Sequence, residues 1–199
     1  MRLMEDLIKL PVFDGDDKRI GSLHDISVVR TPEYPRANSI AVELDEVQII
    51  GNYRLLEPAQ DVVVAVSWGE VSSLGSEKVR LRSSWEELSL YQWGKEDIFL
   101  RRDILNVQVV DKHGHRVQRV DDLILEIREG GLLLAGIYIG FGARLKRLNL
   151  VRPAQHLLKT LGIRMHGHMI PWTSVESYGP ELEEIRLNVG VDGKGRDER

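Results

Sequence analysis

The feature that most restricts how this chain can fold is that it repeats itself. Shifted by 97 positions, "LMEDLIKLPVFDGDDKRIGSLHDISV" falls on "LRRDILNVQVVDKHGHRVQRVDDLIL". Leu3 then meets Leu100, Asp6 meets Asp103, Val12 meets Val109, Asp14 meets Asp111, Arg19 meets Arg116 and Asp25 meets Asp122. Apolar positions agree too, Leu7 with Ile104 and Ile26 with Leu123 among them. A second register, at 87, sets Trp85, Leu88, Tyr91, Ile98 and Leu100 on Trp172, Val175, Tyr178, Ile185 and Leu187, which implies about ten extra residues inside the first copy. The chain therefore reads as two homologous units, 1–94 and 95–190, with no Pro/Gly/Ser linker between them and a charged tail, 191–199, expected to be disordered.

Within each unit the signals are those of short strands. "LPVFD" and "KRIGSLHDISVVR" flank Asp14-Gly15-Asp16-Asp17, and Asp-Gly between β-type runs marks a hairpin. Ile20, Leu23 and Ile26 are spaced by three, so plain alternation fails and Gly21 is expected to mark a bulge that resets the register. "SIAVELDEVQII", "DVVVAVSW" and "EKVRLR" read as further strands, before a helical turn at "SSWEELSLY" capped by Ser83 or Ser84. In the second unit "GLLLAGIYIG" and "RMHGHMIPW" read as strands, and "GARLKRLNLVRPAQHLLKTLG" as a helical insertion that Pro153 breaks. Such strands point to a mainly β fold, two tandem small antiparallel barrels with a short helical insertion in the second.

Composition removes several functional classes. The longest apolar run falls well short of the roughly 20 residues that span a bilayer, and the first residues lack the basic and apolar regions of a secretory signal. There is no cysteine, which excludes disulfides and thiol chemistry and makes a cytoplasmic location the simplest reading. A formal charge of −4 gives no bulk attraction to nucleic acid. No nucleophile elbow or Walker loop occurs, and Gly140-Phe141-Gly142 lacks the third glycine of a dinucleotide fingerprint, so no enzyme and no cofactor is expected.

Val12-Phe13-Asp14-Gly15 followed by Gly21-Ser22-Leu23-His24-Asp25 resembles the opening of the PRC-barrel, although Gln118 stands where the second unit should have its glycine. With "IGFGARLKRL" and "MIPWTSVESY", the chain is similar over residues 3–190 to the N-terminal part of bacterial proteins in which PRC-barrels precede a magnesium-transporter-type (MgtE) intracellular domain. The resemblance implies docking and assembly surfaces rather than catalysis. It leads to a protein-interaction or regulatory module with a protein partner, and leaves open a regulatory part of a magnesium-transport protein, a ribosome-associated assembly factor and self-association into a homo-oligomer.

Four of the six histidines stand in two triplets, His113-Gly114-His115 and His166-Gly167-His168, candidates for a transition-metal site. The first triplet aligns with Asp16-Asp17-Lys18, so a turn explains it as well. Asp14, Asp16, Asp17, Asp121 and Asp122 could face a hard cation, but solvated turn and strand-end positions suit them better, and the equivalence of Asp25 with Asp122 favours a shared structural task over acid–base catalysis. Arg144, Lys146, Arg147 and Arg152 form the one basic concentration, able to meet RNA or an anionic membrane surface or simply to face water. Trp85 and Trp172 read as packing residues, while Trp68 and Trp93, without aromatic equivalents, are candidates to face a partner.

Overall fold

A computed structural model describes residues 1–45, 62–140 and 168–191. The expected helical insertion, the basic residues Arg144, Lys146, Arg147 and Arg152, His166 and most of the charged tail lie outside the described residues. The fold is mainly β. Its strands are β1 (Arg2–Leu3), β2 (Pro11–Phe13), β3 (Arg19–Val29), β4 (Arg36–Leu44), β5 (Val63–Ser67), β6 (Val71–Leu74) and β7 (Val79–Leu81), then β8 (Ile98–Phe99), β9 (Gln108–Val110), β10 (Arg116–Arg128), β11 (Gly131–Ile139), β12 (His168–Pro171), β13 (Val175–Ser177) and β14 (Glu184–Leu187).

Hydrogen bonding orders the early strands as β6-β7-β2-β3-β4-β5 and the later ones as β13-β14-β9-β10-β11-β12. The two ladders share details. β2 runs parallel to β7 through Val12 and Val79, and β9 runs parallel to β14 through Val109 and Ile185. β4 meets β5 with Ser39 opposite Ser67, and β11 meets β12 with Gly136 opposite Pro171. Neither ladder is closed among the described residues: no pairing joins β6 to β5 or β13 to β12.

The spacing of three along β3 has a geometric cause. Val12 lies opposite Gly21 but Phe13 opposite Arg19, and Leu23 lies opposite Val42 but Asp25 opposite Ala41. Each irregularity adds one residue to β3, so Ile20, Leu23 and Ile26 all turn inward and are fully buried. The bulge expected near Gly21 is there, and a second follows at His24.

The chain divides into two compact units, Met1–Arg102 with Leu125–Leu134, and Asp103–Ile124 with Ala135–Arg199. The first therefore contains residues that the sequence repeat assigns to the second copy. β8 pairs antiparallel with β3, Phe99 opposite Ser27 and Ile98 opposite Val28, and Leu133 lies opposite Arg36 of β4. Ile98, Phe99, Leu100, Leu132 and Leu134 are all buried.

The second register of the repeat is overturned. Ile98 belongs to β8, antiparallel to β3, whereas Ile185 belongs to β14, parallel to β9. Trp172 instead resembles Trp68 in its surroundings, since each opens a one-turn 3-10 helix, Trp172–Ser174 or Trp68–Glu70, that runs straight into an edge strand. The connection between β11 and β12 is longer than that between β4 and β5, so the extra residues lie in the second half, not the first. The helical turn expected at Trp85 is a short non-helical turn, and "TSVESY" is not a helical turn but the end of a 3-10 turn followed by β13.

A fragment of residues 1–94 lacks β8, Leu100 and the 125–134 hairpin. It is expected to show no cooperative thermal transition by circular dichroism, and a sharp, native-like transition would show that the first unit is complete without them.

Candidate functional site

Two hairpin turns are built around buried carboxylates. Asp14, 2 % exposed, accepts the backbone N–H groups of Asp16 and Lys18 on Oδ1 at 3.1 and 2.8 Å. Asp111, 6 % exposed, accepts those of His113 and His115 on Oδ1, both at 2.9 Å. In each turn the aspartate N–H also donates to a carbonyl four residues on, Lys18 or His115. The residue in the left-handed region is Asp17 (φ 62°) in one and Gly114 (φ 82°) in the other. Glycine is suited to that backbone, and aspartate tolerates it. Gly15 is required for another reason: a Cβ there would stand 2.4 Å from the Arg82 carbonyl oxygen.

The expectation that Asp14 and Asp122 are solvated fails, because both are buried. Asp14 reaches farther than its own turn, since its Oδ2 accepts the Trp85 N–H at 3.1 Å. This remote carboxylate, rather than Ser83 or Ser84, caps the turn at Trp85. Burial pushes the Asp111 carboxyl up, but the N–H groups of His115 and His113, aided by the His115 ring, outweigh it and hold the group below the usual carboxylate range.

Asp25 and Asp122 have one contact in common. Each accepts the N–H of the next residue at 2.7 Å, Ile26 or Leu123. Asp25 also accepts Arg101 N–H at 2.8 Å and Arg102 N–H at 3.1 Å, tying β3 to a one-turn π-helix, Leu100–Ile104. Burial is the dominant influence on Asp25 and raises its carboxyl above the ordinary value, against the three N–H groups that favour the charged form.

The most elaborate polar arrangement joins residues that the sequence does not place together. Trp93 Nε1–H donates to Ser39 Oγ at 3.0 Å, Ser39 and Ser27 hydroxyls lie 2.6 Å apart, and Ser27 donates to Asn38 Oδ1 at 2.7 Å. With the Ser27 proton committed to Asn38, Ser39 donates to Ser27, and the bonds run in one direction. Asn38 Nδ2 then donates to Tyr91 Oη at 3.0 Å and to Asp97 Oδ1, and Gly94 N–H donates to Asp97 Oδ2 at 2.5 Å. Ser27, Ser39 and Asp97 are buried. Burial and then the Asp97 charge raise the Tyr91 phenol, keeping it a donor. The network fastens the segment Leu90–Asp97 across β3 and β4, while Leu90 (40 %) and Trp93 (37 %) keep an exposed face. Trp93 also meets the Phe99 ring edge-on at 5.0 Å. At the 97 offset the second half has Ile124, Ala135 and Gly136 in place of Ser27, Asn38 and Ser39, so the ladder forms without these polar groups. That substitution pattern was the signal available in the sequence.

His113 and His115 project from the exposed turn with ring centres 5.9 Å apart, and His168 is exposed on β12. Among the described residues, the one cluster of three metal-ligating side chains is Asp14, Asp16 and Glu86, and there both Asp14 oxygens already hold backbone N–H groups. Trp85 and Trp172 are buried as expected, and Trp68 is half-buried. No protein-family model and no curated protein matches the chain.

Asp14→Ala strips acceptors from three backbone N–H groups and is expected to cost about 2–4 kcal/mol in chemical denaturation. For Asp25, a raised folded-state pKa means that its contribution is full below the unfolded value of about 3.9 and is lost as pH rises through the folded value. The stability difference between the wild type and Asp25→Asn should therefore shrink as pH is raised from about 4 towards neutrality. A difference that grows with pH would show that the N–H groups, not burial, dominate.

Proposed function

We propose that this protein is a non-enzymatic interaction or regulatory module built from two PRC-barrel-like units. Support for the two-unit reading comes from the matching ladder order and the paired Asp14 and Asp111 turns. The observation that carries the functional reading is the pinned segment Leu90–Asp97. Ser27, Asn38 and Ser39 are not needed to form this kind of ladder, and burying polar groups is costly unless every one is satisfied. Their effect is to hold one segment in place with Leu90 and Trp93 at the surface, and tryptophan is among the residues that most often anchor protein contacts.

The test is affinity capture from cell extract with the full chain as bait, beside Leu90→Lys and Trp93→Lys variants whose melting is first matched to the wild type. The expected result is a specific protein retained by the wild type and lost or reduced about tenfold by both variants, equivalent to roughly 1.4 kcal/mol. Equal capture by all three, or capture of no specific protein, overturns the assignment of this surface.

A further inference from the structure

We propose that the turn Asp111–His115 is a self-contained surface site for a divalent transition-metal ion of the zinc, nickel or copper class, bound by His113 and His115 and oriented by Asp111. The backbone of this turn is fixed without the imidazoles, because Asp111 Oδ1 accepts both N–H groups and Gly114 takes the left-handed position. The first-half turn reaches the same backbone bonds with Asp16, Asp17 and Lys18. The backbone path therefore does not depend on the histidine side chains, and both are exposed, His115 to 78 %.

Their geometry fits chelation. Two imidazole nitrogens on one ion at about 2.0–2.1 Å bring the ring centres to roughly 5 Å, and the rings already stand at 5.9 Å with their planes at 42°. Asp111 supplies the outer support: its Oδ2 lies 3.4 Å from His115 Nδ1, which orients the ring and leaves Nε2 for the metal, an arrangement common around protein-bound zinc. His113 Nε2 faces Gly190, whose missing Cβ would stand 3.7 Å from it, with the Lys112 side chain alongside. Two nitrogen donors select borderline transition ions over magnesium or calcium, which take oxygen. Water completes the coordination, so the ion exchanges readily and stays open to a further donor.

The full chain, without a polyhistidine tag, is titrated with zinc, nickel or copper chloride and followed by calorimetry and by ¹H–¹⁵N spectra. The expected result is one ion per chain, with resonance changes centred on 111–115, and no response to magnesium. His113→Asp with His115→Lys, which copies the first-half turn and so preserves the fold, should abolish the binding. His166→Ala with His168→Ala should leave it unchanged. Absence of binding to the wild type, or binding that survives the His113/His115 replacement, overturns the proposal, as does loss of binding on replacing His166 and His168.

Discussion

A carboxylate removed from water keeps its charge only if donors replace the solvent, and several turns of this protein rest on that exchange. Asp14, Asp25 and Asp111 each accept two or three backbone N–H groups, and apart from that of Ile26 on β3 these belong to turns and a one-turn helix. One short side chain so fixes the path of several residues and, for Asp14 and Asp25, joins segments far apart in sequence. The apolar core of short strands supplies the driving force, but it is not specific about how loops cross. The aspartates supply that specificity.

On such a frame, specialisation is read from where polarity replaces hydrophobicity. β3 and β4 carry Ser27, Asn38 and Ser39 where the second half has Ile124, Ala135 and Gly136. The price of burying them is recovered by a chain of hydrogen bonds that ends on Asp97 and leaves each donor an acceptor. The result is a rigid seam with Trp93 at its rim, its indole held at one end by Ser39 and in contact with Phe99. A tryptophan held this way loses little side-chain freedom on meeting a partner, which favours contact at that point.

Local chemistry was legible in the sequence and remote chemistry was not. The hairpin at Asp14, its counterpart at Asp111 and the bulge behind the spacing of Ile20, Leu23 and Ile26 all follow from residues a few positions apart. The burial of Asp14 and its bond to Trp85 do not, because they join turns 71 residues apart. The false match of Trp85 with Trp172 has the same origin: short strands offer few apolar anchors, so a spacing of tryptophan and small hydrophobics recurs by chance, and only pairing partners separate β8 from β14. At the offset of 97, the polar residues on β3 and β4 stand out as departures from the second half.

The membership of the first unit also bears on how the protein is made. Its last pieces, residues 125–134, emerge from the ribosome only after about two thirds of the chain has been translated. Until then the edge of β4 that meets Leu133 is unpaired, with backbone and apolar side chains open to other chains. Completion of the first unit is thus tied to synthesis of the second half, and a nascent chain stalled before Leu134 has no finished domain to protect it.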